Sequence, residues 1–413
     1  MGKKLEKLMP LEQSIERMAS EIKLVLRSET VSLLDSIYRI ASRDIVAESD
    51  IPFFDRSAVD GYAVRAEDTY GASEFNPIIL RVVGEVRPGE PRLAIGSGEA
   101  AKISTGMPLP LGANAVVMVE DVVEEGNAIY VTRSVGRYTN VALQGEDIQR
   151  GKVIIKRGTL IEPKHVAALA TLGIGSIEVY ERPRICVVCT GSEVVEPGSI
   201  GREEVFRRGL TYNSTGPLII TYIKSLGFLD PIYMGFVEDS RSRIRVAVEK
   251  AVEMCHAVIT TGGAGPSAHD LTLDAVEEAG GKIIVRGIAM RPGRPTSGGI
   301  VNGKPVFMLS GFPVASFIGL KYFALPVMEK VIGMVIPRRT VMAKLTKRIA
   351  NVVGYTSFVR VKLLRCLDQI CAEPVAVSGS GTISTLLDSD GILVIPPNIE
   401  GFDKDQVVEV ELV

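Results

Sequence analysis

The chain reads as a multidomain α/β-plus-β protein. It has a central doubly wound parallel α/β domain, a discontinuous N-terminal mixed domain carrying an inserted β-rich domain, and a small C-terminal β domain. Three observations predict this. From 182 to 335 apolar strand-like runs alternate with helical stretches, the pattern of a parallel sheet covered by helices on both faces. From 54 to 139 short apolar runs are broken by Gly and Pro, which is strand-and-turn sequence. From 336 to 413 short strands return, with Pro396-Pro397 as a hard break. The segments 1–53 and 140–181 are the two parts of the domain that carries the 54–139 insertion.

In chain order, Leu11, Ile15, Met18, Ile22 and Val25 recur at three and four and predict an amphipathic helix. A second short helix is expected over 30–40. Ile51 precedes Pro52 and is expected to be extended, because a following proline disfavours the helical region. Strands are expected at 78–83, 115–119, 128–131 and 153–155. Pro163 opens a helix through Leu172 that Gly173 ends, the usual placement of proline inside the start and glycine past the end. In the α/β block strands are expected at 184–189, 231–236, 257–260, 282–288 and 305–309, and helices near 214–225, 240–255, 270–279 and 314–332.

Composition narrows the function. Forty-seven basic against 49 acidic residues, a net charge of -2, argues against a dedicated nucleic-acid binder, so any bound anion is held by a local cluster. The most apolar stretch, 317–337, is interrupted by Lys321, Glu329 and Lys330 and is unsuited to crossing a membrane. The start, MGKKLEKLMPLEQ, has charge but no apolar run, so no secretory signal is expected and the protein is read as cytoplasmic. Cys186 and Cys189 have C-x-x-C spacing, but on an apolar strand they would face opposite ways, and they are expected to be inert core thiols. Cys255, Cys366 and Cys371 show no pairing pattern. Three histidines exclude a His-rich metal site.

Chemistry concentrates at the carboxyl ends of the α/β strands, where open sheets of this type bind ligands. Four loops lie there: Thr190-Gly-Ser-Glu193, the run from Thr260 through Gly262 and Gly263 to Asp270, Arg291-Pro-Gly-Arg-Pro295, and Ser310-Gly-Phe-Pro313. Helix starts expose N–H groups to anions, guanidinium forks grip oxyanions, and carboxylates beside phosphates usually hold Mg²⁺. Together they predict a phosphate or oxyanion pocket with a divalent metal. Singly, each loop reads more simply as a turn, and Asp270 as a helix cap. No Walker A pattern follows any of these loops. Outside this block, Asp60-Gly61 on pattern alone is a tight turn, and the runs around Thr105 and Asp147 are polar turns.

Taken in order, these pieces resemble the molybdopterin molybdenumtransferase family, MoeA and the E domain of gephyrin. Ser57-Ala-Val-Asp60-Gly-Tyr-Ala63 is similar to that family's SAMDGYA. Thr105-Gly-Met-Pro with the following Gly112–Glu120 stretch resembles TGAPVP…GADAVVMQE, Gly145-Glu-Asp147 its GED, and Thr190-Gly-Ser-Glu193 its TGDE. Arg291-Pro-Gly-Arg-Pro295 is similar to KPGKP, and Gly379-Ser-Gly381 to a C-terminal GSG. The resemblance implies a MogA-like central domain and an elongated homodimer, with molybdopterin-AMP bound between the α/β domain of one subunit and the β-rich domain of the other. By position, Asp60, Thr105, Asp147, Glu193 and Asp270 fall on catalytic positions. Gly262, Gly263, Arg291, Arg294, Ser316, Arg360 and Ser380 fall on or near positions for substrate and molybdate. Glu193 and Asp270 are the expected Mg²⁺ ligands.

Departures mark a divergent, archaeal-looking branch: Gly265 and Ala268 replace a serine and an acid of GGVSxGDxD, Phe312 interrupts GLPGNP, and arginines replace both KPGKP lysines. The implied reaction inserts molybdate or tungstate into adenylyl-molybdopterin and releases AMP. The pathway's adenylyltransferase and apo-molybdoenzymes are the implied partners. Two rival readings are a molybdopterin adenylyltransferase, which needs only the α/β domain, and a gephyrin-like scaffold, which goes with a fused partner domain.

Overall fold

The computed structural model describes residues 8–263, 271–376 and 379–413. The central sheet is built from β1 (Arg184–Thr190), β2 (Asp230–Val237), β3 (Ala257–Thr261), β4 (Lys282–Val285), β5 (Ser297–Val301) and β6 (Lys304–Leu309), in spatial order β2-β1-β3-β6-β5-β4. The β2-β1-β3-β6 run is parallel, whereas β5 pairs antiparallel with both β6 and β4. The expected all-parallel sheet therefore carries one reversed strand. Its sequence, Ser297-Gly-Gly-Ile-Val301, is disguised by two glycines, and both leave room for neighbours: a Cβ at Gly298 would sit 2.8 Å from the Met18 sulfur. Helices Thr215–Leu226, Arg241–Met254, Leu271–Glu278 and the stretch from Pro313 to Ile332 cover the sheet. That last stretch is α-helix over Pro313–Gly319 and Leu325–Ile332 with a π turn, Leu320–Ala324, between.

Antiparallel pairings zip together the chain on either side of the β-rich block. Ser28–Ser32 pairs with Ser176–Tyr180, Ile45–Val46 with Val153–Ile155, and Arg56–Ser57 with Val141–Ala142. The helix expected over 30–40 is thus a strand followed by a short 3-10 turn, Leu34–Ser36. Thr30 and Val31 are β-branched and find a ladder partner about 150 residues away in sequence, which local periodicity does not register. The first helix, Leu11–Glu21, stops before Ile22, and Val25 beyond it is 84% exposed. This helix joins the α/β core: Leu11, Met18 and Ile22 pack in the same apolar cluster as Phe307, Phe323 and Met328.

The inserted block is a six-stranded sheet in the order Ala115–Met118, Gly61–Val64, Glu99–Ile103, Ile78–Glu85, Ala128–Val131, Val122–Glu125. Gly61 starts a fully buried strand, because a Cβ there would lie 2.0 Å from the Val117 carbonyl oxygen. At the C-terminus Thr356–Cys366, Gln369–Ala376, Thr340–Leu345, Val407–Leu412 and Gly391–Ile395 close on themselves as a five-stranded barrel, which leaves no open edge among those strands. Met290–Arg291 adds in parallel to Thr356–Ser357 and ties the barrel to the α/β block.

The cysteines differ from expectation. Cys186 and Cys255 form a disulfide, as do Cys366 and Cys371, while Cys189 is free and buried. Alternation on β1 does place Cys186 and Cys189 on opposite faces, in separate apolar clusters. The partner of Cys186 comes from the end of helix Arg241–Met254, 69 residues on, a proximity only the fold creates. No helix among the described residues is long and apolar enough to cross a membrane.

Candidate functional site

The ends of β1, β3 and β6 meet through backbone contacts that require glycine. Gly262 has φ +95°, and a Cβ on it would stand 2.2 Å from the Thr190 carbonyl oxygen. A Cβ on Gly263 (φ +67°) would stand 2.3 Å from the Thr272 hydroxyl. The Gly262 amide donates to the Leu309 carbonyl at 3.2 Å, and the Thr215 hydroxyl to the Gly311 carbonyl at 2.7 Å. Within this junction the hydroxyls of Thr190 and Thr260 are buried and have no hydrogen-bond partner among the described residues. An unmet buried hydroxyl costs about 1–3 kcal/mol.

Glu193 follows β1, exposed, with no described residue hydrogen-bonding or ion-pairing its carboxylate. Beside it, the Ser192 amide donates to Asp239 Oδ2 at 3.1 Å and the Asp239 amide to the Ser192 hydroxyl at 3.3 Å. The other carboxylate oxygen of Asp239 is buried with no partner among the described residues. Sequence reasoning missed Asp239, although it stands just past β2 and the strand-end rule that selected Glu193 would have found it. Asp270 lies outside the described residues, so the expected Glu193–Asp270 metal pair has no geometry here. Among the described residues no cluster of three acidic, His or Cys groups is arranged to hold a metal.

A cavity of about 310 Å³ opens next to this junction, lined among others by Arg291, Arg294, Ser310, Phe312 and Ser380. Both arginines are exposed and have no carboxylate partner among the described residues; each instead lies over the Tyr355 ring, at 5.7 and 5.6 Å. Ser380 brings the barrel to the cavity through its carbonyl, which accepts from the amides of Val314 and Ala315 at 3.1 and 3.4 Å. Phe312, 60% exposed, lies against the same loop, where a Cβ on Gly381 would be 3.0 Å from its ring. Ser316 does not line the cavity. It is buried one residue beyond Ala315, which does, and its hydroxyl has no partner among the described residues. Arg360 is not in the lining either. It is fully buried in the barrel, donates from Nη1 to the Phe358 carbonyl at 3.0 Å, and burial lowers its pKa.

The remaining predicted residues sit elsewhere. Asp60 Oδ1 accepts from the amide and hydroxyl of Thr105 at 2.7 and 3.1 Å, an exposed pair where strand Gly61–Val64 of the inserted sheet begins and its neighbour Glu99–Ile103 ends. Asp147 is exposed in a turn whose backbone bonds to Ile51, and the neighbouring acids, Asp50 and Asp55, hold that turn through the Arg150 and Gln144 amides. No hydrogen bond or ion pair among the described residues joins 54–139 to the α/β block.

The whole length of the chain finds relatives. Residues 9–173 match the MoeA N-terminal region (domain I and II), residues 186–330 the probable molybdopterin binding domain, and residues 342–413 the MoeA C-terminal region (domain IV). The chain belongs to the MoeA family. It is 38% identical, over 99% of both chains, to a Methanocaldococcus jannaschii protein named for molybdopterin biosynthesis. It is 32% identical to the molybdopterin molybdenumtransferase of Staphylococcus aureus, covering 98% of this chain and 95% of that one. The crystal structure of the Pyrococcus horikoshii MoeA protein superimposes with a TM-score of 0.86 at 34% identity, covering 98% of this chain and 100% of that one. MoeA proteins are transferases of molybdenum-cofactor biosynthesis, and the multidomain fold described above is theirs.

Proposed function

We propose that this MoeA protein transfers molybdate, or tungstate, into adenylyl-molybdopterin in the cytoplasm, releasing AMP. The observation that carries this reading is the cavity of about 310 Å³ with two guanidinium groups unmatched by any described carboxylate, next to a glycine-threonine junction with unmet buried hydroxyls. Planar guanidinium forks suit the oxygens of a tetrahedral dianion. The Thr190, Gly262 and Gly263 junction offers hydroxyls and a close backbone approach to phosphates.

The donor set at the end of β1 fits a divalent metal. Glu193 has no described partner and one Asp239 oxygen is orphaned, two hard oxygens of the kind Mg²⁺ takes. Asp270, outside the described residues, is proposed as a further ligand. Held by these residues, Mg²⁺ would supply positive charge to offset the negative charge that develops on the leaving phosphate. Thr190 and the glycine backbone orient the phosphates, Arg291 and Arg294 hold the oxoanion, and Ser380 closes the cavity. The Asp60 carboxylate, with one oxygen fixed by Thr105, presents its other oxygen to the substrate. No hydrogen bond or ion pair among the described residues joins that pair to the strand ends within one chain, and the reading takes the protein as a homodimer in which the inserted sheet of one copy covers the strand ends of the other.

The test is turnover of adenylyl-molybdopterin with molybdate, following AMP and metal-loaded pterin together. Asp60→Asn and Glu193→Gln are each expected to lower turnover by at least ~10²-fold, the scale of one lost electrostatic stabiliser, with unchanged melting temperature. Near-normal turnover in both rejects the assigned roles. Formation of the adenylate from ATP and free molybdopterin would favour nucleotidyl transfer instead.

A further inference from the structure

The two guanidinium groups of the cavity share one aromatic neighbour, and it comes from another domain. Arg291 and Arg294 belong to the α/β block, whereas Tyr355 stands just before the longest strand of the barrel, Thr356–Cys366. Two like charges crowded into one small cavity repel each other. A carboxylate between them would relieve that repulsion but would then compete with an incoming anion. An aromatic face attracts both cations through its quadrupole and leaves their net charge available. The geometry points to Tyr355 as a positioning residue of the oxoanion pocket, whose ring sets the spacing and direction of Arg291 and Arg294.

The backbone carrying the ring is pinned on both sides. Asn351 Nδ2 donates to the carbonyls of Tyr355, Pro396 and Ile399 at 3.2, 3.2 and 3.0 Å, and Asn351 Oδ1 accepts from the Ser357 hydroxyl at 2.6 Å. The Tyr355 amide donates to the Val352 carbonyl at 3.1 Å and the Gly354 amide to the Pro397 carbonyl at 2.7 Å. The next residue, Thr356, donates to the Ala289 carbonyl at 3.0 Å, and Thr356 and Ser357 stand in register with Met290 and Arg291. The backbone that carries the ring is therefore tied to the same short ladder that carries Arg291. This inference rests on the reading of Arg291 and Arg294 as the groups that hold molybdate.

Molybdate binding to the full chain, measured by calorimetry, tests it. Tyr355→Phe keeps the aromatic face and is expected to bind within about twofold of wild type, and Tyr355→Trp at least as tightly as wild type. Tyr355→Leu is expected to weaken molybdate about five- to tenfold, the scale of lost cation–π attraction, and to leave adenylyl-molybdopterin affinity within about twofold. In an Arg294→Ala background the Leu change should cost less than half as many fold as alone, since the ring then has less to position. If Phe is as weak as Leu, the hydroxyl itself contacts the ligand and the inference is overturned. A full, undiminished loss in the Arg294→Ala background overturns it too. If Arg291→Ala/Arg294→Ala binds molybdate like wild type, the pocket reading itself fails. If that double variant loses binding while Tyr355→Leu keeps it, only the role of the ring fails.

Discussion

At the ends of β1, β2 and β3, the hydroxyls of Thr190 and Thr260 and one oxygen of Asp239 are buried with no partner among the described residues. In the inserted sheet, by contrast, Asp60 already accepts two hydrogen bonds from Thr105. Both regions are glycine-rich turns following strands, yet they dispose of their polar groups in opposite ways. The α/β junction is locked by backbone contacts too close for a side chain, and it keeps unmet groups that each cost about 1–3 kcal/mol. The Asp60 turn is exposed and internally satisfied. On the proposed reading, the first region is shaped in advance to receive a ligand, and the second presents one oriented acid to it. Preorganisation of this kind is where electrostatic catalysis gets its strength.

The largest way to break this contrast is Gly262→Ala. With φ +95° and a Cβ 2.2 Å from the Thr190 carbonyl, it is expected to cost about 3 kcal/mol, read as a lower urea midpoint. The equivalent change at Gly106, whose φ is +84° but where nothing lies within 4 Å, should cost only about 1 kcal/mol. Equal losses at the two positions would dissolve the distinction between a locked and an open turn.

Next in size, Arg294→Ala is expected to weaken molybdate binding about 10- to 30-fold, in line with losing a charge-assisted contact worth about 1.5–2 kcal/mol. Binding of adenylyl-molybdopterin should change far less. Parallel losses for both ligands would mean that the oxoanion site is misplaced.

Two threonine variants sharpen the comparison with opposite signs. Thr190→Val removes a buried, unmet hydroxyl at nearly constant shape, so the ligand-free protein should gain about 1 kcal/mol in stability while substrate affinity falls. Thr105→Val removes a satisfied, exposed hydrogen bond to Asp60 and should lower stability by about 0.5 kcal/mol. Chemical denaturation of the two side by side decides the matter, and a loss of stability in Thr190→Val would sink the claim that this junction is held unsatisfied.

Much of the architecture was legible because it follows local rules. The strands β1, β2, β3 and β6 and the helices between them announce themselves by runs and periods, and Gly173 and Pro163 bound their helix as chain chemistry dictates. What was misread depends on distant partners. Ser28–Ser32 is a strand because Ser176–Tyr180 lies beside it, and β5 is a strand because β4 and β6 flank its glycines. Cys186 meets Cys255 only once a helix folds back over the sheet.

The sequence by itself determined which loops bring glycine, arginine and acid residues to the strand ends, since those residue types are chosen by the backbone and by charge. Only the tertiary structure decided how those groups are paired. It set Arg291 and Arg294 over one ring next to the barrel, left one Asp239 oxygen without a partner among the described residues, and withdrew Arg360 and Ser316 from the cavity surface. The reason is that a residue's type fixes what it can bind, while burial and neighbours contributed by remote segments fix whether it is free to do so.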